Sequence, residues 1–138
     1  MTIRAARAEE AGAVIGLWYL CGLTRPWNDP AQDFARALEG DASTILVAEG
    51  EGGGLLGSAM VGDDGHRGWV YYLAVAPAAR RIGLGRALMT AAEEWLRARG
   101  CPKVQLMVRE DNAEALGFYA ALGLEREGVV TLGRFLGD

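Results

Sequence analysis

A mixed α/β domain built on one sheet is the fold class that the sequence predicts, and three observations predict it. Short runs of β-formers are interleaved with longer stretches at helical apolar spacing. Glycine and proline punctuate the junctions between them. No repeat, low-complexity tract or linker divides the 138 residues. The expectation is one domain over residues 1–138, its single sheet mostly antiparallel with about six or seven strands and about four helices. A chain this long folds without a disulfide or a metal.

The elements follow in order. Thr2–Ala6 reads as a short strand. Ala8–Cys21 places Ala11, Val14, Ile15 and Trp18 at helical spacing, with Glu9 and Glu10 at the helix's positive end. Gly22–Pro30 is rich in turn residues. Asp29 followed by Pro30 predicts an N-cap and a helix running to about Glu39. Ser43–Glu49 and Leu55–Val61 are strand-like runs around a Gly50–Gly54 turn. Trp69–Val75 is a third run, strongly apolar. Ala76–Arg81 leads into a long helix with Leu84, Ala87, Leu88, Ala91, Trp95 and Leu96 on one stripe, stopped by Gly100 and Pro102. Val104–Val108 predicts another strand, Asn112–Leu122 a helix ended by Gly123, and Leu124–Glu127 and Val129–Leu136 two final strands.

Composition narrows the function classes. Apolar residues make up 51% and charged ones 23%, a globular rather than disordered profile. No apolar run approaches the ~20 residues that cross a bilayer, and Met1–Arg4 carries no signal-peptide run. Cys21 and Cys101 lack redox or zinc spacing and read as reduced thiols, so the expected location is cytoplasmic, with no membrane partner and no metal. A net charge of −4 argues against a nucleic-acid partner. The charge is uneven, however. Arg67, Arg80, Arg81, Arg86, Arg97, Arg99, Lys103 and Arg109 face only Glu93 and Glu94 between residues 67 and 109. Residues 1–66 are acidic. A basic middle in an acidic chain suggests an anionic ligand of modest size.

The segment that carries chemistry is strand, loop, glycines and helix across residues 69–99. A helix start offers unpaired N–H groups and a positive dipole end, a ready anion site. Gly83 and Gly85 clear side chains from the approach, and Arg80, Arg81 and Arg86 add charge. The same glycines also permit a tight turn and close helix packing. No Gly-Lys-Ser/Thr ends the loop, and Leu88 stands where a dinucleotide fingerprint needs its third glycine.

Arg80-x-x-Gly83-x-Gly85, preceded by Tyr71-Tyr72-Leu73-Ala74-Val75 and Pro77, resembles the signature of the GNAT superfamily of acyl-CoA-dependent N-acetyltransferases. The family's second element resembles Asn112-x-x-Ala115-x-x-x-Tyr119-x-x-x-Gly123-Leu124. The resemblance covers essentially the whole chain. It looks closest to the bacterial YpeA-type branch, through residues 23–30 and 64–68.

The resemblance implies a fold with splayed central strands and transfer of acetyl from acetyl-CoA to a primary amine by direct attack through a tetrahedral intermediate. The loop amides, here Arg80, Arg81, Ile82, Gly83, Leu84, Gly85 and Arg86, would hold the donor pyrophosphate. Main-chain groups of Leu73, Ala74 and Val75 would pair with the pantetheine arm. Asn112 would touch that arm, and Tyr119 would sit by the sulfur as general acid. The two are seven residues apart and share a helix face. The positions where relatives carry a base look like Trp69 and Met107, which cannot take a proton. Asp63, Asp64, His66 and water therefore stay open as the base.

On the acceptor side the resemblance points to Arg25, Trp27, Asn28, Asp29 and Tyr71. The acidic N-terminal half favours a cationic amine. The acceptor, a small-molecule or peptide amine, is otherwise open, as is a choice between monomer and homodimer and between acetyl and a longer acyl donor. A non-catalytic acyl-CoA-binding sensor is the alternative, because the recognised bases are missing.

Overall fold

Five strands form one sheet in the order β1-β2-β3-β4-β5 in the computed structural model, which describes residues 1–137. They are β1 (Thr2–Ala5), β2 (Ser43–Glu49), β3 (Leu55–Asp63), β4 (Gly68–Val75) and β5 (Val104–Leu106). Neighbours from β1 to β4 run antiparallel, and β5 joins β4 in parallel. The chain divides into two compact units, Met1–Met107 and the residues from Val108 onward.

In the first unit, helices cover both faces of the sheet. The helices α1 (Ala11–Leu20) and α2 (Pro30–Glu39) bury Val14, Leu17, Trp18, Phe34 and Ala37 against Ile45, Val47 and Ala74. The other face takes α3 (Leu84–Ala98), whose buried side chains are Leu84, Leu88, Met89, Ala92 and Leu96. Burying each large apolar side chain contributes about 1.5–3 kcal/mol. The predicted stripe on α3 is rotated. Met89 and Ala92 belong to the core, while Ala87, Ala91 and Trp95 lie at its margins. Apolar alanines occur all round this helix, so periodicity alone misplaces the stripe's centre. Gly57 and Gly68 allow the close approach of α3: a Cβ on Gly68 would stand 2.5 Å from a Leu96 methyl, and one on Gly57 would stand 2.8 Å from the Ala74 carbonyl.

Local signals held where they were local. Asp29 caps α2, its Oδ1 accepting the Gln32 N–H at 3.1 Å, with Pro30 in the first turn. Gly100 follows α3 at φ 78, and the Cys101 N–H returns to the Leu96 carbonyl at 3.0 Å. Arg4 on β1 donates to both Glu10 carboxylate oxygens at 2.8 Å and to Glu49 on β2 at 3.0 Å. That guanidinium, with the Arg7 backbone N–H, holds the Glu10 carboxyl down at about 2.

The second unit contains α4 (Ala113–Ala121), capped by Asn112, whose Oδ1 accepts the Ala115 N–H at 3.1 Å. Gly123, at φ 89, ends it as expected. The two final strands expected over Leu124–Glu127 and Val129–Leu136 are absent, and β5 is shorter than 104–108. The sheet therefore has five strands rather than six or seven. β-formers such as Val129 and Val130 make a strand only with a paired neighbour, and here Val130 and Leu136 are 84% and 94% exposed.

Candidate active site

The loop between β4 and α3 is built to receive an anion. Pro77–Ala79 forms a single 3₁₀ turn, after which Arg81 (φ 70) and Gly83 (φ 80) take left-handed backbone conformations. Alternation of this kind turns successive N–H groups toward one side. Among the described residues, no hydrogen bond takes up the N–H groups of Arg81, Ile82 and Gly83. Those of Leu84 and Gly85 belong to the first helical turn, which has no intrahelical acceptors. Leu84 is buried and pins the helix start to the sheet, so only its backbone is available to a ligand. Fifteen residues of helix aim their dipole at this point, and no acidic residue stands in the first turn. Arg81 and Arg86 are exposed beside it. A cavity of about 440 Å³ opens at Gly83 and Arg86 and runs along α3 to Glu94.

Arg80 does a different job from its neighbours. Its Nε lies 3.3 Å from the Val75 carbonyl, and Nη2 lies 3.9 Å from Cys21 Sγ. Cys21 Sγ also donates to the Val75 carbonyl at 3.3 Å. The guanidinium is thus folded back to tie the loop to the end of β4, and the Val75 carbonyl is already occupied.

The strand that leads into the loop has an open side. β5 pairs with β4 only at Gly68, Trp69 and Val70. From Tyr71 to Val75 no strand of the described residues continues that pairing, which leaves the half-buried Leu73 on an open edge, whereas Ala74 is buried and pairs with Ser58 of β3. On the other side β3 pairs across a bulge. Ser58 faces Ala74 and Met60 faces Tyr71, so Tyr72 and Leu73 stand against Ala59 alone. Tyr72 takes φ 52 at the bulge.

At the opposite end of β4 lies the turn that holds the candidate bases. Asp64 Oδ1 accepts the His66 and Arg67 N–H groups at 2.8 and 2.7 Å, and Oδ2 accepts Trp69 Nε1 at 3.1 Å. These bonds, the Arg67 amide first, lower the Asp64 pKa and make it a poor proton acceptor. Asp63 accepts the Gly65 N–H at 2.9 Å and lies 3.6 Å from Arg99. His66 is exposed. Tyr71 is 41% exposed, and its ring stacks on Trp69 at 6.4 Å. Burial, with a smaller contribution from Asp64, raises its pKa.

The acceptor-loop residues are partly spoken for. Arg25 donates to the Gly22 and Thr24 carbonyls at 2.9 and 2.8 Å. Asp29 is the cap of α2. Trp27 and Asn28 are exposed. In the second unit, burial pushes the Tyr119 phenol up to about 12, and its ring meets Phe118 edge-on at 5.0 Å. The carbonyl oxygen of Asn112 serves as a helix cap, leaving its Nδ2 amide group for other partners. Residues 73–75 and 80–86 are contiguous along one strand, loop and helix start. Tyr72 escaped the sequence reading; its only signal was the Tyr71-Tyr72 pair, which breaks no pattern in an apolar run. Among the described residues, no group of three or more His, Cys, Asp or Glu is set to hold a metal, and no helix is long and apolar enough to cross a membrane.

An open strand edge leading to a helix start with free N–H groups defines an α/β protein able to receive an anionic ligand. Residues 13–124 match the acetyltransferase (GNAT) family, and the chain belongs to that family. An acetyltransferase of Pectobacterium atrosepticum is 49% identical over 136 residues, covering 99% of this chain and 96% of that protein. Among solved structures, aminoglycoside N-acetyltransferase AAC(6')-Iy, bound to a CoA bisubstrate analogue, superposes with TM-score 0.83 at 20% identity, covering 99% of this chain and 98% of the other. AAC(6')-IG of Acinetobacter haemolyticus, an aminoglycoside 6'-N-acetyltransferase, gives TM-score 0.81 at 20% identity over 99% and 100%. These two share the fold. The chain is a GNAT-family acetyltransferase.

Proposed function

We propose that this acetyltransferase moves the acetyl group of acetyl-CoA onto a primary amine that carries positive charge. The observation that carries the donor half is the set of unpartnered N–H groups at Arg81, Ile82 and Gly83, continuous with the open edge of β4. The amides and the α3 dipole take the pyrophosphate, and Arg81 and Arg86 add charge. The Leu73 main chain on the open edge aligns the pantetheine arm, and a fixed N–H there meets the oxygen that gains charge as the amine attacks. The new N–C bond forms, the C–S bond breaks, and the amine's proton leaves to water. Solvent suits that last role better than Asp64, whose hydrogen bonds favour its ionised form, or Asp63, which is engaged by the Gly65 N–H and lies beside Arg99.

Tyr119, proposed from its place in the family motif, acts at the leaving sulfur. A phenol pushed up to about 12 transfers its proton to a thiolate of pKa ~8.5 only uphill, by roughly three orders of magnitude. Its contribution is therefore a hydrogen bond that stabilises the departing thiolate, with the proton following late. The cationic acceptor is favoured by the acidic residues of the first half of the chain, and by the exposed Tyr71 ring stacked on the half-buried Trp69, a surface suited to cations. The two aminoglycoside acetyltransferases that share the fold make polycationic amino sugars sensible first members of an acceptor panel.

CoA release from acetyl-CoA across matched basic and acidic amines tests the reading. Basic amines are expected to turn over faster, and Tyr119→Phe to lower kcat about a hundredfold while CoA still binds. Tight acetyl-CoA binding with no release for any amine would instead identify an acyl-CoA sensor.

A further inference from the structure

Tyr72 stands where a glycine would be expected. Its φ of 52 is a conformation that L-residues avoid, inside a strand and next to the main chain that the proposed mechanism uses. The extra residue at the bulge also reverses the strand's facing. Gly68 lies against Leu96 of α3, yet Ala74, six residues on, belongs to the core beneath α1 and α2. In an undisturbed strand the two would share a face. The bulge therefore decides which way Leu73 and Ala74 present themselves.

Three elements grip the residue that makes it. The Tyr72 ring stacks on Trp18 of α1 at 3.9 Å and 9°. Its hydroxyl donates to Asp33 Oδ2 of α2 at 2.7 Å. Trp18 in turn donates from Nε1 to Ser58 Oγ of β3 at 3.2 Å, beside the register slip. Ser58 is fully buried and is the buried polar residue of the core. Burial and the Asp33 carboxylate both raise the Tyr72 pKa, so the hydroxyl stays a donor. A glycine would adopt this backbone without strain but would leave nothing to hold.

We propose that Tyr72 is a positioning residue, clasped by Trp18 and tied to Asp33 so that the β4 bulge presents the Leu73 main chain to the acyl donor. The claim about turnover rests on the reading under Proposed function; the claim about the bulge does not. The latch also links α2, which follows the candidate acceptor loop, to the donor strand.

The test compares wild type with Tyr72→Phe, Asp33→Ala, their double variant, Asp33→Glu and Tyr72→Gly. Three quantities are read: kcat and KM for the best amine, Kd for CoA, and exchange with solvent of the backbone N–H of Ala74, which pairs with Ser58 beside the bulge. Tyr72→Phe and Asp33→Ala are each expected to lower kcat about tenfold to a hundredfold, with the amine KM and CoA Kd within about threefold. The double variant should be no worse than the worse single, because both remove one bond. Asp33→Glu should recover part of the loss. Ala74 exchange should quicken about tenfold in Tyr72→Phe. Tyr72→Gly, relieved of strain but unanchored, should lose kcat as well. Single variants within about twofold of wild-type kcat, or a Tyr72→Gly protein as active as wild type, would overturn the proposal. A wild type that turns over no amine would remove the enzymatic reading, and the latch then stands or falls on Ala74 exchange alone. Tyr72 variants that fail to fold leave Asp33→Ala, half-buried on α2, to decide by the same exchange measurement.

Discussion

The two loops that bracket β4 look alike in sequence and differ in what their backbones offer. Each carries glycine in the left-handed region, Gly65 at φ 88 before the strand and Gly83 at φ 80 after it, and neither glycine has a neighbour near its missing Cβ. In the turn before β4, Asp63 and Asp64 consume the N–H groups of Gly65, His66 and Arg67. In the loop after it, the N–H groups of Arg81, Ile82 and Gly83 have no acceptor, and arginines surround them. One loop is closed on itself and the other awaits an anion. Neither glycine content nor exposure separates them. The fate of each backbone N–H does.

Paired glycine substitutions give the largest expected contrast. Gly65→Ala and Gly83→Ala each force an L-residue into the left-handed region and should cost about 1–2 kcal/mol in chemical denaturation. Only Gly83→Ala should weaken CoA binding, by about tenfold in titration calorimetry, because only there does the backbone meet the ligand. Equal effects on CoA from both would erase the distinction between the loops. A smaller contrast comes from charge. Arg81→Ala and Arg86→Ala should each raise the CoA Kd about threefold to tenfold and flatten its salt dependence, whereas Arg67→Ala should leave both unchanged. The smallest effect is on acid stability. Asp64 has a folded pKa below its ordinary value of 3.8, so its stabilising effect is complete above that pH and fades as pH falls through the folded value. Asp64→Asn should therefore be less stable than wild type at neutral pH, with the gap narrowing in acid. A gap that widened instead would show that the Asp64 carboxylate is not the acceptor of the turn.

Part of the proposed site was legible in the chain. Arg80–Gly85 before an amphipathic helix pointed to the anion cradle proposed above, and Asp29-Pro30, Gly100 and Gly123 marked helix ends that the structure bears out. Each of those signals acts over three or four residues. Arg80 shows the limit of this reading. Its charge counted toward the ligand in sequence, but its guanidinium turns back to the Val75 carbonyl, a partner that only folding brings near. Asn112 is similar, because its family role hid its simpler use as the cap of α4. The strands expected after Leu124 failed for a related reason: β-formers specify a tendency, and pairing requires an available edge.

By itself the sequence determined where helices start and stop and which glycines close them at positive φ, and it pointed to an anion ahead of α3. These are properties of neighbouring residues, whose sterics and hydrogen bonds do not wait for the fold. Tertiary structure alone decided that α3 buries Met89 and Ala92 rather than Ala87 and Ala91, and that β5 leaves β4 unpaired beyond Val70. It alone placed Trp18, Asp33 and Ser58 around Tyr72. Those outcomes depend on groups 14 to 54 positions apart along the chain, and a residue's own neighbours carry no information about which distant surface will meet it.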